Sequence, residues 1–485
     1  VEFHRLGYPL FLLATFGAAL LAGRSRARRN AVLLAASALF YASLEPRFVA
    51  LLAGVTFVAY VGAPFVAPKS GAPERGGPRR AILALLIALE LSGLVVVKYA
   101  GFVARTVNDA LAALGSGGHL PVLEGVAIVG VSFYTFQAIG YLVDVYRGAL
   151  PPERDLPAFA LFVGFFPQVL AGPIGRATAL LPQWKSEPRF SERRLSDGLF
   201  LLLSGAAKKV LIGDFLATRL VDPAFAHPGG VGALGMWLAS YGFAFQLYGD
   251  FAGYSEMAIG SARCLGIDLP VNFDAPFRAR SIQELWQRWH ISLSTWIRDY
   301  VFLPMQGRSP SRARTYAAAI GSMGLCGLWH GASFAWIGWG LLHGTALALH
   351  QAWTSFLRKR FALKKRLAKS APWRALSIAL TFHFFVASLL VVRTDAVFGG
   401  ASLATIASEL VSAPRGDGAW FLNVWVAAAL ALAAATHFLP GRAKLALAAR
   451  FAAIPRPVQG GLLAASALAL FVARPSSSPF VYTNF

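Results

Sequence analysis

The sequence predicts an all-α, polytopic integral membrane protein with about 11 transmembrane helices, supplemented by re-entrant or interfacial helices. Three observations carry that reading. First, 56% of the 485 residues are hydrophobic and only 14% are charged, with a mean hydropathy of +0.56. A soluble domain carries about a quarter charged residues, so lipid must solvate much of this surface. Second, apolar runs near spanning length recur along the chain, separated by short loops rich in Pro and Gly. Third, the basic residues cluster between those runs. No polar block is long enough to fold separately, so residues 1–485 read as a single membrane-embedded domain.

Taken in order, the candidate spans are 6–22, 31–46, 47–67, 81–101, 122–145, 158–172, 197–217, 231–250, 315–328, 333–352, 375–393, 419–438 and 459–473. Several fall short of the roughly 20 residues of a full crossing, which points to broken or re-entrant helices where backbone is buried in protein. The first run precedes its charge (Arg24, Arg26, Arg28, Arg29), the reverse of a secretory signal, so it is expected to be retained with the N-terminus outside. Further basic clusters sit at Lys69, Arg75, Arg79 and Arg80, across Arg358 to Arg374, and at Arg442, Lys444, Arg450 and Arg456. One positive-inside rule fits them all: a multi-pass protein of the bacterial inner membrane, loop 358–374 cytoplasmic and both termini periplasmic. The stretch 147–357 then crosses an even number of times.

The formal net charge of +22 is thereby assigned to the anionic leaflet of the lipid bilayer. No finger spacing or aromatic-interleaved basic groove is present, which argues against nucleic acid as a partner. Cys264 and Cys326 are the only cysteines, so a disulfide framework is excluded and no metal is expected. There is no Gly-x-Ser-x-Gly, P-loop or dinucleotide fingerprint, and no internal repeat of the transporter kind.

Three segments carry chemistry. Residues 281–300 read SIQELWQRWHISLSTWIRDY, and the spacing predicts one helix ending near Pro304. Leu285, Trp289, Leu293, Trp296 and Tyr300 share its apolar face; Gln283, Gln287, His290, Ser294 and Arg298 share the polar one. Glu284 and Arg288 form a favourably ordered i,i+4 pair. Such a helix either lines a wet cavity with His290 inward or is an interfacial anchor with tryptophans at headgroup depth. Residues 321–333 read GSMGLCGLWHGAS, where Gly321, Gly324, Gly327 and Gly331 permit close helix approach around His330. An ionisable group at membrane depth is a functional candidate by default, the alternative being a histidine bonded to a neighbouring helix. His343, His350 and His383 lack such surroundings and are expected to be buried and satisfied, whereas His4, His119, His227 and His437 read as loop or edge residues. No histidine spacing suits a metal site. In 246–274, Asp250 and Glu256 interrupt an apolar stretch; they could orient a histidine, pair with Arg288 or Arg298, or mark a loop.

Several motifs occur together in a familiar order: YGDFAGYS at Tyr248–Ser255, Asn272-Phe273, WQRWHISLS at Trp286–Ser294, Arg298-Asp299-Tyr300 and LWHGA at Leu328–Ala332. SFYTF at Ser132–Phe136, FPQVLAGPI at Phe166–Ile174, Lys208-Lys209 and PFVY at Pro479–Tyr482 add to them. Together they resemble the membrane-bound O-acyltransferases, in particular the alginate O-acetylation branch. The resemblance covers nearly the whole chain. It implies helices around a tunnel joining a cytosolic donor side to an outer acceptor side. His330 would match the family's near-invariant histidine and His290 its second, more variable catalytic position. Asp250, Tyr254, Asn272, Trp286, Arg288, Trp289, Ser294, Arg298 and Trp329 would support them or line the tunnel. The implied donor is acetyl-CoA or another acyl thioester; the implied acceptor is a hydroxyl of an exported polysaccharide or of a periplasmic SGNH-type acetyltransferase. Departures are small: 389–393 lacks the usual Trp and Phe, and Met305-Gln306 stands where Leu-Gly is common. A histidine with a pKa near 6.5 suits removal of the hydroxyl proton. Two rivals remain: D-alanyl transfer from a carrier protein towards teichoic acid, and a non-enzymatic export or permease subunit.

Overall fold

Apolar segments cannot leave N–H and C=O groups facing lipid, so they close their hydrogen bonds internally as helices. The computed structural model describes residues 7–68, 77–122, 130–395, 402–412 and 423–472, and its regular structure is helical throughout those residues. His4, Lys69, Arg75 and the motif Pro479–Tyr482 lie outside the described residues. Helix starts follow the capping rule: the side chains of Ser25, Asp155, Ser191, Ser281, Ser311 and Ser370 each accept a backbone N–H of the first turn.

Among the described residues, three helices are long and apolar enough to cross a membrane: Pro46–Val66, Pro78–Ala113 and Ala371–Arg393. A fourth crossing is counted if Val424–Phe438 and Gly441–Ala453, bent by 98°, form one broken span. This count by length and composition is smaller than the sequence expectation, and several of the expected runs are built differently. The run 158–172 forms two short helices, Leu156–Gly164 and Phe166–Val169, separated at Phe165, with Pro167 in the first turn of the second. Of the run 122–145 the helix Val131–Tyr146 is described, and 123–129 lie outside the described residues. The run 197–217 begins as Glu192–Ala207 and continues as wider π-turns at Lys208–Asp214 and Ala217–Val221.

Conversely, 231–250 is too short a reading. The helix Gly232–Cys264 runs 33 residues straight through Asp250 and Glu256. Both carboxylates are neutralised inside the protein: Asp250 by Lys209 at 2.6 Å, Glu256 by Lys208 and by Ser204 at 2.8 Å. A paired carboxylate does not need to end a helix.

Burial sorts the helices into an inner set and a lipid-facing rim. Along Val131–Tyr146, every side chain from Phe133 to Leu142 is buried, while Pro78–Ala113 exposes Leu85, Leu89 and Val96. Arg312–His330 and Phe334–Arg358 form an antiparallel hairpin. A Cβ at Gly327 would overlap the Trp336 carbonyl, and one at Gly340 the Met323 carbonyl, so backbone packs on backbone there. Gly321 and Gly324 face only the flexible ends of Met305 and Leu341.

Candidate active site

The hairpin presents His330 at its tip. Arg312–His330 ends on this residue because Gly331 is extended and the chain turns into Phe334–Arg358 within three residues. A side chain at Gly331 would overlap the Trp336 indole, which stacks on His330 at 5.4 Å between ring centroids and 22°. Trp339 approaches the same imidazole edge-on at 5.3 Å and Trp329 at 4.8 Å. His330 is buried in this indole cage.

His290 is reached from a second helix break, which corrects the expected continuous helix over 281–300. Helix Ile282–Arg288 stops, Trp289 is extended, and His290 takes a left-handed conformation (φ 43°, ψ 55°) before Ile291–Ile297 begins. For a non-glycine residue that geometry costs roughly 1–2 kcal/mol, so something must impose it. Asn272 does. Its Oδ1 accepts from Ser292 N at 3.2 Å and from Ser292 Oγ at 2.6 Å, and its backbone carbonyl accepts from Ile291 N at 2.9 Å. Because Ser292 N–H can only donate, the atom facing it is the amide oxygen. His290 Nδ1, 3.4 Å from that same oxygen, therefore carries the ring proton and leaves Nε2 as the basic nitrogen. The imidazole is fully buried, stacked on Phe133, edge-on to Phe251 at 4.6 Å and 6.2 Å from Trp329.

Trp329 thus stands between the two histidines. His290, Lys98 and His343 are among the ionisable groups near His330. His343, expected to be buried and satisfied, is buried, and its Nε2 lies 2.9 Å from Ser388 Oγ. Ser388 donates to the Phe385 carbonyl at 2.7 Å, so the histidine nitrogen is the donor in that pair. The surroundings were misjudged, however: Trp336, Trp339 and His343 share one helix face, and the Trp339 ring is 4.5 Å from His343. Trp286 closes this group, 5.8 Å from Trp339 and 5.4 Å from His343.

The other expected site residues separate. Trp289 packs on Phe273 and Phe385 rather than on either candidate histidine, and Ser294 Oγ donates to the Trp289 carbonyl at 3.0 Å, closing the break. Tyr254 is buried on Gly232–Cys264, and Asp250 belongs to the ion pair with Lys209. Arg288 pairs with Glu284, as its spacing predicts, and with Asp274, both at 3.0 Å. Arg298 is largely exposed and pairs with Asp299 at 2.7 Å. Three other histidines differ from expectation. His437 is buried, its Nε2 accepting Phe277 N–H at 3.1 Å in a ring cluster with Tyr248, because the end of Val424–Phe438 packs inward. His383 is exposed and bonded to Tyr241 at 2.8 Å, while His350 is half-buried.

Two cavities flank the far part of Phe334–Arg358 and share Thr354. One, of about 510 Å³, is lined by Arg280, His350, Trp353, Trp373, Arg374 and Phe384 among others. The second, of about 560 Å³, includes Arg312, Arg358 and Lys359. Phe384 is 5.1 Å from His343, so the first cavity reaches the ring cluster from the basic side of the molecule.

The family profile of the membrane-bound O-acyltransferases matches residues 150–392, which include both helix breaks. The chain belongs to this family. It is similar to the probable alginate O-acetylase AlgI of Pseudomonas putida, 39% identical over 347 residues, 71% of this chain and 69% of that protein. The AlgI protein of Pseudomonas aeruginosa is likewise 39% identical, with 64% of its length covered. A peptidoglycan O-acetyltransferase of Helicobacter pylori is 32% identical over 407 residues, 78% of this chain and 75% of that protein. In this membrane acyltransferase the sequence reading passed over Lys98 and Tyr99, whose side chains reach the last turn before His330. The available signal was a lone lysine inside the apolar run 81–101.

Proposed function

We propose that this protein moves an acyl group, acetyl in the first instance, from a cytosolic thioester across the inner membrane to a hydroxyl acceptor on the periplasmic side. The acceptor is an exported polysaccharide or a periplasmic acetyltransferase that serves one. The whole chain acts as one catalytic unit, with both termini periplasmic. The observation that carries the reading is the convergence of two buried histidines from two helix breaks on one indole, Trp329.

In this reading His330 is the base. It takes the proton of the acceptor hydroxyl as the oxygen attacks the thioester carbonyl carbon. The tetrahedral oxyanion collapses, the C–S bond breaks, and the proton passes to the departing thiolate. His290, its proton fixed on Nδ1 by Asn272, holds Nε2 towards the same space and orients or shares the proton. The two basic cavities, the first of them lined by Trp353 and Trp373, support entry of a phosphate-bearing donor from the face assigned to the cytosol. Identity of 38–39% to alginate O-acetylases supports acetyl as the group moved. Identity of 30–32% to teichoic acid D-alanyltransferases keeps D-alanyl transfer as the second reading.

Purified wild-type protein and His330→Ala, given acetyl-CoA and separately a D-alanyl-charged carrier protein, test this. Wild type is expected to release CoA thiol, and His330→Ala to lose about 100-fold or more of that rate while remaining folded. Retention of over about a tenth of the rate makes His330 structural. Turnover of the carrier alone selects the second reading.

A further inference from the structure

The carbonyls of Leu328, Trp329 and His330 end the helix that carries His330. The chain turns away at Gly331, so these carbonyls lie past the end of the helix's own hydrogen-bond ladder. Buried carbonyls at the negative end of a helix need donors, and here two side chains supply them. Tyr99 Oη donates to the Leu328 carbonyl at 3.0 Å. The Lys98 ammonium donates to the Trp329 carbonyl and, at 3.3 Å, to that of His330. It also lies 5.8 Å from the centre of the Trp329 ring. Three consecutive carbonyls are thus gripped by two consecutive side chains of another helix.

That grip depends on a local irregularity. Val95–Tyr99 is a π-turn between Pro78–Leu94 and Ala100–Ala113. The wider turn changes the register of the helix face, and such turns recur at functional sites. A lysine within an apolar span is costly to keep, and no carboxylate among the described residues pairs with this one. Its charge is met by two main-chain carbonyls and the face of the Trp329 ring.

We propose that Lys98, assisted by Tyr99, is the positioning residue for His330: its ammonium fixes the height and rotation of the last helical turn, and with it the imidazole in the indole cage. This rests on the reading of His330 as the base. Displacement of a reacting group by about 1 Å can cost on the order of 100-fold, so the effect belongs in turnover rather than in donor binding.

The test compares wild type, Lys98→Met, Lys98→Arg, Tyr99→Phe, His330→Ala and Lys98→Met/His330→Ala. Thiol release from acetyl-CoA gives kcat and KM, and detergent unfolding gives the folded fraction. Lys98→Met should lower kcat about 10- to 100-fold with KM within about threefold of wild type. Lys98→Arg, which keeps a cationic donor, should return to within about fivefold of the wild-type kcat, and Tyr99→Phe should lose about two- to fivefold. The double variant should be no slower than His330→Ala. Wild-type kcat in Lys98→Met overturns the proposal. So does a loss that merely follows the folded fraction and is not restored by Lys98→Arg. Should Lys98→Met fail to fold, wild-type kcat in Tyr99→Phe or no activity in folded Lys98→Arg overturns it instead. Activity surviving in His330→Ala refutes the underlying reading of the base, a separate outcome.

Discussion

Replacing Asn272 by leucine keeps the branched shape of the side chain and removes its hydrogen bonds, and the cost can be worked from the structure. Asn272 Oδ1 accepts from Ser292 N at 3.2 Å and Ser292 Oγ at 2.6 Å, and Nδ2 donates to Ser255 Oγ at 3.2 Å. At about 1 kcal/mol for each well-formed bond these sum to about 3 kcal/mol, with the 3.4 Å contact to His290 Nδ1 adding little. The serine hydroxyls can rotate to other acceptors, but Ser292 N–H cannot, so the buried donor keeps the total near that figure. Leucine leaves no cavity, so no cavity penalty adds to the lost bonds. Without the Asn272 side chain only the main-chain bond from Ile291 N and the Ser294 bond to the Trp289 carbonyl oppose the strain of the left-handed turn at His290, and 282–297 should relax towards the continuous helix that its periodicity predicts. The imidazole then rotates off Trp329. Unfolding in mixed SDS micelles should show a loss of about 3 kcal/mol. Thiol release from acetyl-CoA per folded molecule should fall about tenfold or more, within the range of a displaced general-acid–base group. A stability loss under about 1 kcal/mol with unchanged turnover refutes the argument that Asn272 builds the site.

Other perturbations have definite expected outcomes. His290→Gln keeps a hydrogen-bonding amide and should retain more single-turnover acyl transfer than His290→Ala, whereas His330→Gln should not improve on His330→Ala; wild-type rates in His290→Ala remove that residue from the site. Gly327→Val should separate the hairpin, because its Cβ meets the Trp336 carbonyl, and cost about 3 kcal/mol or more in the same SDS titration; a change under about 0.5 kcal/mol contradicts the backbone-on-backbone packing. In a version lacking Cys264 and Cys326, a cysteine at Ser370 should be labelled from the cytoplasmic side only. One at Ser477, outside the described residues, should be labelled from the periplasm; labelling there only after permeabilisation of the inner membrane overturns the orientation.

The sequence made some of this architecture legible because its signals were local. Helices Pro46–Val66 and Ala371–Arg393 follow from uninterrupted apolar runs, and the Glu284–Arg288 pair from its spacing. The hairpin tip was readable from Gly327 and Gly331 beside His330, since small residues there allow only close approach. The break at His290 was not readable. Neither glycine nor proline marks it, the 3.6-residue period continues across it, and the residue that enforces it lies 18 positions upstream. Asp250 was misjudged for the same reason: a carboxylate in an apolar run looks like an interruption until its lysine is found on another helix. His343 was discounted as lacking the surroundings of His330, whereas the ring that completes its cluster, Trp286, is brought in from elsewhere in the chain.

Those failures share one physical cause. Inside lipid a helix break exposes carbonyls and amides that only protein can satisfy, so each break must be matched by polar side chains from distant positions. At Phe165 the matching groups are Gln137 and Gln168, whose side-chain amides donate to the Phe162 carbonyl at 3.0 and 2.7 Å. At Trp289–His290 they are Asn272 and Ser294. At His330 they are Lys98 and Tyr99. Polar residues scattered through apolar runs are therefore not a uniform population of tunnel-lining candidates. A share of them repairs open backbone, and the side chains at the repaired breaks are the ones presented away from a helix axis. A continuous helix would hold an imidazole against its neighbours along a packed face. A helix end presents it from a tip, where indole rings can enclose it and a substrate can approach from the opposite side. The two residues that family resemblance assigns to catalysis both occupy such ends, and the asparagine, lysine and tyrosine that hold those ends determine where the histidines stand.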